Sequence, residues 1–225
     1  MKEEKTYFFE MEPMLLNILC MLLIVVMALV TLLIVKVFNI ETNISDFEIS
    51  LLIVLLIPYF VLHEILHSIG YIVNGANPKY ITFGVHLEKS ILCCSCKQKI
   101  RKKTILWSLV YPLIFIGIIT YIVGIILNIP ILVILSIANL SGCIGDIMMF
   151  CAFLKIEDFK FFEYDNPMAF GLVTKENLDN KKFIGLKRIE EKTVKQTIDK
   201  KITISKTSII ILIIYFLICL VNFFL

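Results

Sequence analysis

The chain has 225 residues, of which 59% are hydrophobic and only 18% charged. Soluble domains are closer to half apolar and a quarter charged, so this composition predicts an integral membrane protein. A formal net charge of +3 is small, and the placement of the basic residues described below accounts for it without a nucleic-acid partner.

Five apolar stretches reach the length of about 20 residues that a helix needs to cross a hydrocarbon core: 14–37, 49–73, 104–127, 130–154 and 208–225. The first follows an acid-rich start (Glu3, Glu4, Glu10, Glu12), is too long for a signal-peptide core and lacks a small-residue cleavage site, so a retained helix is expected. The run KYITFGVHLEKSILCC, residues 79–94, has the β-branched and aromatic content of a short hairpin. Asn128 and Ile129 are nearly all that separates the third and fourth spans, which predicts a tight helical hairpin. The segment 155–207 opens with aromatic, turn-containing sequence suited to strand pairing and then becomes charged and amphipathic, as for a helix lying on a membrane surface.

The expected fold is therefore an all-α polytopic membrane protein with about five transmembrane helices and a short β-hairpin in the first cytoplasmic loop. Its segments are 1–48, with the first helix and outer loop; 49–175, the core; 176–207, a basic cytoplasmic segment; and 208–225, a last helix. Lys and Arg concentrate on the cytoplasmic side of membrane proteins. Counted between the spans in chain order they number 2, 0, 7, 0 and 12. That alternation predicts a multi-pass protein of the cell membrane with its N-terminus inside and its C-terminus outside, and it assigns the basic loops to topology and anionic lipid. The chain has seven cysteines. Cys93, Cys94 and Cys96 fall in a loop facing a reducing compartment, where free thiols are expected.

Within the second span stands HEILH, residues 63–67. Four apart on a helix, His63 and His67 share a face and can grip one metal ion, while the adjacent Glu64 can act as general base toward water. The composition makes an accidental HExxH improbable, at roughly 0.002 for the whole chain. A purely structural cluster accounts for it poorly, because interhelical polar pairs in membranes are worth only about 1 kcal/mol and a buried glutamate costs more.

A catalytic zinc takes three protein ligands and keeps a position open. Among the expected spans one further acidic or imidazole side chain remains, Asp146 in NLSGCIGDIMMF, residues 139–150. His63 lies 14 residues, about 21 Å, from the outer end of its span and Asp146 lies 16 residues, about 24 Å, from the outer end of its own. The two sit at one depth. Asn139, Cys143 and Asp146 follow the spacing i, i+4, i+7 of a single helix face; Asn139 suits a substrate or oxyanion contact and equally an interhelical hydrogen bond.

These residues resemble a known family. HEILHSIGYIVNGANPKYITFGVHLE followed by a later span with an aspartate is similar to the site-2-protease type of intramembrane zinc metalloprotease. The further succession SILCCSCKQKIRKKTILWSLVYPLI, Asn139 and Gly145-Asp146 resembles more closely a bacterial family of small integral-membrane zincin peptidases, over roughly residues 49–175. The resemblance implies one zinc ion held by His63, His67 and Asp146, Glu64 as general base, and a membrane-protein or peptide substrate. Site-2 proteases carry Leu-Asp-Gly with upstream prolines where this chain has IGDIM without them, which implies a different way of unwinding a substrate.

Two other classes use the same residues. A catalytically silent metal-binding regulator would keep the ligands and dispense with Glu64; cleavage that depends on Glu64 separates the two. An ion or proton transporter would use the histidines and acids as a relay, but the chain shows no inverted repeat.

Overall fold

The computed structural model describes residues 3–38, 44–86, 91–163, 168–190, 201–204 and 214. In chain order these form β1 (Lys5–Met11), α1 (Pro13–Phe38), α2 (Asp46–Val73), β2 (Ile81–His86), β3 (Ile91–Cys96), β4 (Ile100–Arg101) and α3 (Lys102–Pro112). A π-helical stretch, Leu113–Ile119, runs on into α4 (Thr120–Ile126), followed by α5 (Pro130–Gly142), α6 (Ile144–Leu154), β5 (Lys160–Glu163), β6 (Ala169–Thr174), β7 (Leu186–Ile189) and β8 (Lys201–Ile204).

Length and composition explain the helices. Pro13–Phe38, Glu48–Val73 and the continuous Lys102–Ile126 are each long and apolar enough to cross a membrane. Helix α2 begins with a reciprocal capping box between Ser45 and Glu48, which satisfies amide groups that the first turn leaves open. Pro58 sits inside it without interrupting it. Asn128, at φ 54°, turns the chain between α4 and α5. Tyr59 ties α2 to the next helices by donating to the Ile116 carbonyl at 2.6 Å and meeting Thr120 at 2.9 Å.

Several expectations are corrected here: where about five transmembrane helices are expected, three helices among the described residues are long and apolar enough to span, or four if the bent pair α5–α6 counts as one. The fourth span is not one helix: α5 and α6 meet at Cys143 with a bend of 45°. The all-α fold class is wrong as well, because the helices are joined by two antiparallel sheets. One has five strands in the order β4-β5-β6-β1-β7 and the other three in the order β3-β2-β8. The N-terminal residues, expected as an acidic lead-in, are an interior strand, with Lys5 opposite Thr174 and Glu10 opposite Ala169 on one side and Phe8 opposite Ile189 on the other. The expected hairpin is present as β2 and β3, from Ile81 opposite Cys96 to His86 opposite Ile91, with β8 added as a third strand. The basic segment contributes β7 and β8 rather than a surface helix over its described residues. Residues 191–200, and the expected last helix at 208–225 apart from Ile214, lie outside the described residues.

Sheet and helix ends share one aromatic core. Tyr7, Phe9, Phe153, Phe159, Phe161 and Phe170 are buried together with Tyr71 and Ile105. Phe153 packs edge-on against Phe161 and Phe170 at ring separations of 5.7 and 5.5 Å, a geometry favoured by the ring quadrupoles. This core clamps the end of α2 and the start of α3 to the strands, and so fixes the level at which β3 passes the HEILH turn.

Candidate metal centre

Helix α2 delivers His63, Glu64 and His67 from adjacent turns, and both histidines are buried. The break at Cys143 decides where Asp146 goes. It makes Asp146 a first-turn residue of α6, where the open amide groups and the dipole of a helix N-terminus favour a carboxylate. The structure brings the three side chains together: His63 Nε2 and His67 Nε2 are 3.0 Å apart, and Asp146 Oδ2 is 3.5 Å from each.

The far side of each ring fixes its protonation. His67 Nδ1 faces the Ser108 carbonyl at 2.9 Å, a group that can only accept, so Nδ1 carries the proton. His63 Nδ1 faces Asn139 Oδ1 at 2.8 Å, and the Asn139 amide nitrogen is turned away to donate to the Pro112 carbonyl at 3.3 Å. Nδ1 of His63 is therefore a donor too. In the neutral imidazoles both Nε2 atoms then carry lone pairs, 3.0 Å apart, and Asp146 Oδ2, buried, accepts no hydrogen bond among the described residues.

Three acceptors converging without a donor are mutually repulsive unless a cation sits among them. Ligand atoms about 2.0–2.1 Å from a tetrahedral zinc stand about 3.3 Å apart. The observed triangle has sides of 3.0, 3.5 and 3.5 Å. The donor set, its spacing and the backing of each imidazole thus fit a metal ion; His63, His67 and Asp146 form the one candidate metal group among the described residues.

Proline explains one of the supports. Pro112 has no N–H to return to the carbonyl four residues earlier. That carbonyl is Ser108 O, the acceptor of His67. The carbonyl of Pro112 itself holds Asn139, which holds His63. Close helix approach completes the arrangement: a Cβ added to Gly70 would lie 2.6 Å from Ser108 Cα, and the Ser108 hydroxyl donates to the His67 carbonyl at 3.0 Å.

Glu64 points toward the strand. Its Oε2 accepts from Cys94 N at 2.6 Å, and the residue lines the cavity described below. One register further along β3, Cys96 N donates to Glu163 Oε2 at 3.1 Å, and the Tyr71 hydroxyl donates to Glu163 Oε1 at 3.1 Å. Strand β3 is the outer strand of its sheet, so both amides belong to the free edge that faces α2. Burial, reinforced by the carboxylates of Glu64 and Glu163, pushes the Cys94 thiol well above its usual range. Cys94 therefore stays protonated, the state of an inert thiol rather than of a metal ligand.

A cavity of about 600 Å³ opens onto His63, Glu64, His67 and Asp146. Leu92 and Cys93 wall it on the strand side, and Leu16, Asn17 and Cys20 of α1 wall it opposite. Asn139, for which the sequence offers a substrate or oxyanion contact, is fully buried behind His63 and does not line the cavity. Ser108, Pro112, Tyr71, Glu163 and α1 are not part of the site read from the sequence. Tyr71 is detectable in principle, since 63, 67 and 71 recur every four residues on one helix face. Glu163 and the α1 residues are not, because only the tertiary fold brings them there.

An apolar helical scaffold thus brings the two histidines of HEILH and a distant aspartate onto one cavity, as a candidate metal centre. Residues 56–158 match the model of a family described as "putative zincin peptidase". The match contains α2 from residue 56 onward, the β2–β3 hairpin, β4 and α3 to α6; β1, α1 and β5 to β8 lie outside it. No curated protein and no solved structure matches the chain.

Proposed function

We propose that the protein is a membrane-embedded zinc metallopeptidase that cleaves membrane or membrane-proximal substrates. In this reading His63, His67 and Asp146 hold one zinc ion and Glu64 is the general base. The observation that carries it is the convergence of three buried lone-pair donors, each imidazole backed by an acceptor on its other nitrogen. Bound there, zinc supplies the Lewis acidity that polarises a peptide carbonyl and acidifies water.

The chain's own residues do the rest. Glu64 takes the proton of the attacking water and returns it to the leaving amine, while the Cys94 amide holds Oε2 in place. Ser108, Pro112 and Asn139 hold the imidazoles so that no reorientation is needed as the reaction proceeds. An extended substrate segment adds as a strand to the outer edge of β3 at Leu92, which lines the cavity next to the Cys94 amide that holds Glu64.

Membrane placement rests on the three long apolar helices. The pairing of β1 with β6 supports assigning these two strands to one side of the bilayer, and the distribution of Lys and Arg supports calling that side cytoplasmic.

The direct test is cleavage of a panel of single-span membrane proteins by purified protein. Glu64→Gln is expected to lower the rate by about 10²–10⁴-fold while zinc content is unchanged. Cleavage that survives the substitution would remove Glu64 from the mechanism. Full zinc binding with no cleavage of any substrate by wild type would favour the metal-binding regulator.

A further inference from the structure

A second cavity, of about 650 Å³, lies away from the metal centre on the outer face of α3 and α6. Its floor is a stripe of α3 residues continued into the π-helical stretch, Trp107, Val110 and Ile114, faced by Phe150 of α6. Trp107 is 45% exposed and Ile114 37% exposed, so the groove is open along its length. At one end stand Arg101, Lys102 and Lys103, with Asp158 as the single acidic neighbour. Lys102 is turned aside to donate to the carbonyls of Ile156 and Glu157. Arg101 and Lys103 are exposed and make no ion pair among the described residues.

Polarity is graded along this groove in the order of half a bilayer. Lys103 to Ile114 spans eleven residues, about 16 Å along the helix, against about 15 Å for the hydrocarbon of one leaflet. The two free cations sit where a phosphate group would be and the apolar floor where an acyl chain would be. Trp107, one turn below the cations, is at the depth where tryptophan is enriched in membrane proteins. We propose that this groove is a binding site for an anionic phospholipid, with its phosphate at Arg101 and Lys103 and one chain lying against Trp107, Val110, Ile114 and Phe150.

The functional link is short. The lipid would touch the face of α3 opposite the one that supplies Ser108 to His67, and would brace α3 against α6, which carries Asp146. The proposal rests on the membrane-embedded reading above and is independent of the metal.

Trp107 is the only tryptophan of the chain, so its fluorescence reports on this groove alone. The experiment reconstitutes the full chain in phosphatidylcholine vesicles in which an equal minor fraction of lipid carries brominated chains, either as phosphatidylglycerol or as phosphatidylcholine. Bromine quenches on contact. The proposal expects the anionic quencher to be favoured by about fivefold or more, given the strength of basic-residue attraction to anionic lipid. Arg101→Gln with Lys103→Gln should abolish that preference, and Lys175→Gln with Lys187→Gln, two exposed lysines outside the groove, should leave it intact. Equal quenching by both lipids, or a preference lost equally in the control pair, overturns the lipid site and leaves the membrane reading standing. No quenching by either lipid overturns both. Tryptophan emission of the quencher-free samples checks that all variants keep the same fold.

Discussion

At the scale of residues, the site depends on where protons and lone pairs are held. Asn139 does two things: it accepts from His63 Nδ1 and donates to Pro112 O. Replacing it by leucine leaves a buried ring N–H without a partner, and outer supports of this kind are worth about 10–100-fold in metal affinity. Asn139→Leu is therefore expected to weaken zinc by that factor in a chelator-competition titration. Asn139→Asp, which keeps an acceptor toward His63, should recover most of it. If aspartate binds zinc no better than leucine, the hydrogen bond to His63 is not what Asn139 contributes. Position 112 acts in the opposite sense. Pro112→Ala supplies an amide that competes with His67 for the Ser108 carbonyl, so the helix becomes more regular while zinc affinity falls, again by about tenfold or more. Unchanged affinity in that variant would show that the freed carbonyl is not needed.

At the scale of elements, the sequence was legible where a single local rule decides. The apolar runs of α1 and α2 have a length set by the bilayer, and HEILH carries its own geometry, since four residues make about one helical turn. Depth counting brought His63 and Asp146 to one level although 83 positions separate their numbers in the chain. What local rules missed was the break at Cys143: GCIG reads as a close-packing stretch of an ordinary span, and only the bend shows that Asp146 begins a new helix. The strands were harder still. KTYFFEM buries Tyr7, Phe8 and Phe9 in succession, without the alternation that marks a half-solvated strand. Its partners are β6 and β7, 159–181 residues away. Glu163 was invisible for the same reason, because it meets Tyr71 and Cys96 only through the sheet.

At the scale of the whole molecule, the two sheets are what join the flanking regions to the matched family segment. Strand β1 sits between β6 and β7 and sends Phe9 against Phe170 and Phe183, at ring separations of 5.9 and 5.5 Å. Phe9→Ala is expected to cost about 3–5 kcal/mol, seen as a lowered thermal transition in a light-scattering or fluorescence melt. Because the same core buries Tyr71 and Ile105 at the ends of α2 and α3, the loss should extend to the metal centre, with zinc released at a lower temperature than in wild type. A variant that melts early yet holds zinc up to the wild-type temperature would show that sheet and site unfold separately.

All three scales meet in the claim that His63, His67 and Asp146 form a three-ligand metal site. Zinc per polypeptide, measured by elemental mass spectrometry on detergent-purified wild type and Asp146→Ala after chelator-free preparation, tests it most directly. The expected result is about one zinc per chain in wild type and a large loss in the variant, with both proteins showing the same helical circular dichroism. Zinc absent from the wild type, or retained in full by the folded variant, would contradict it.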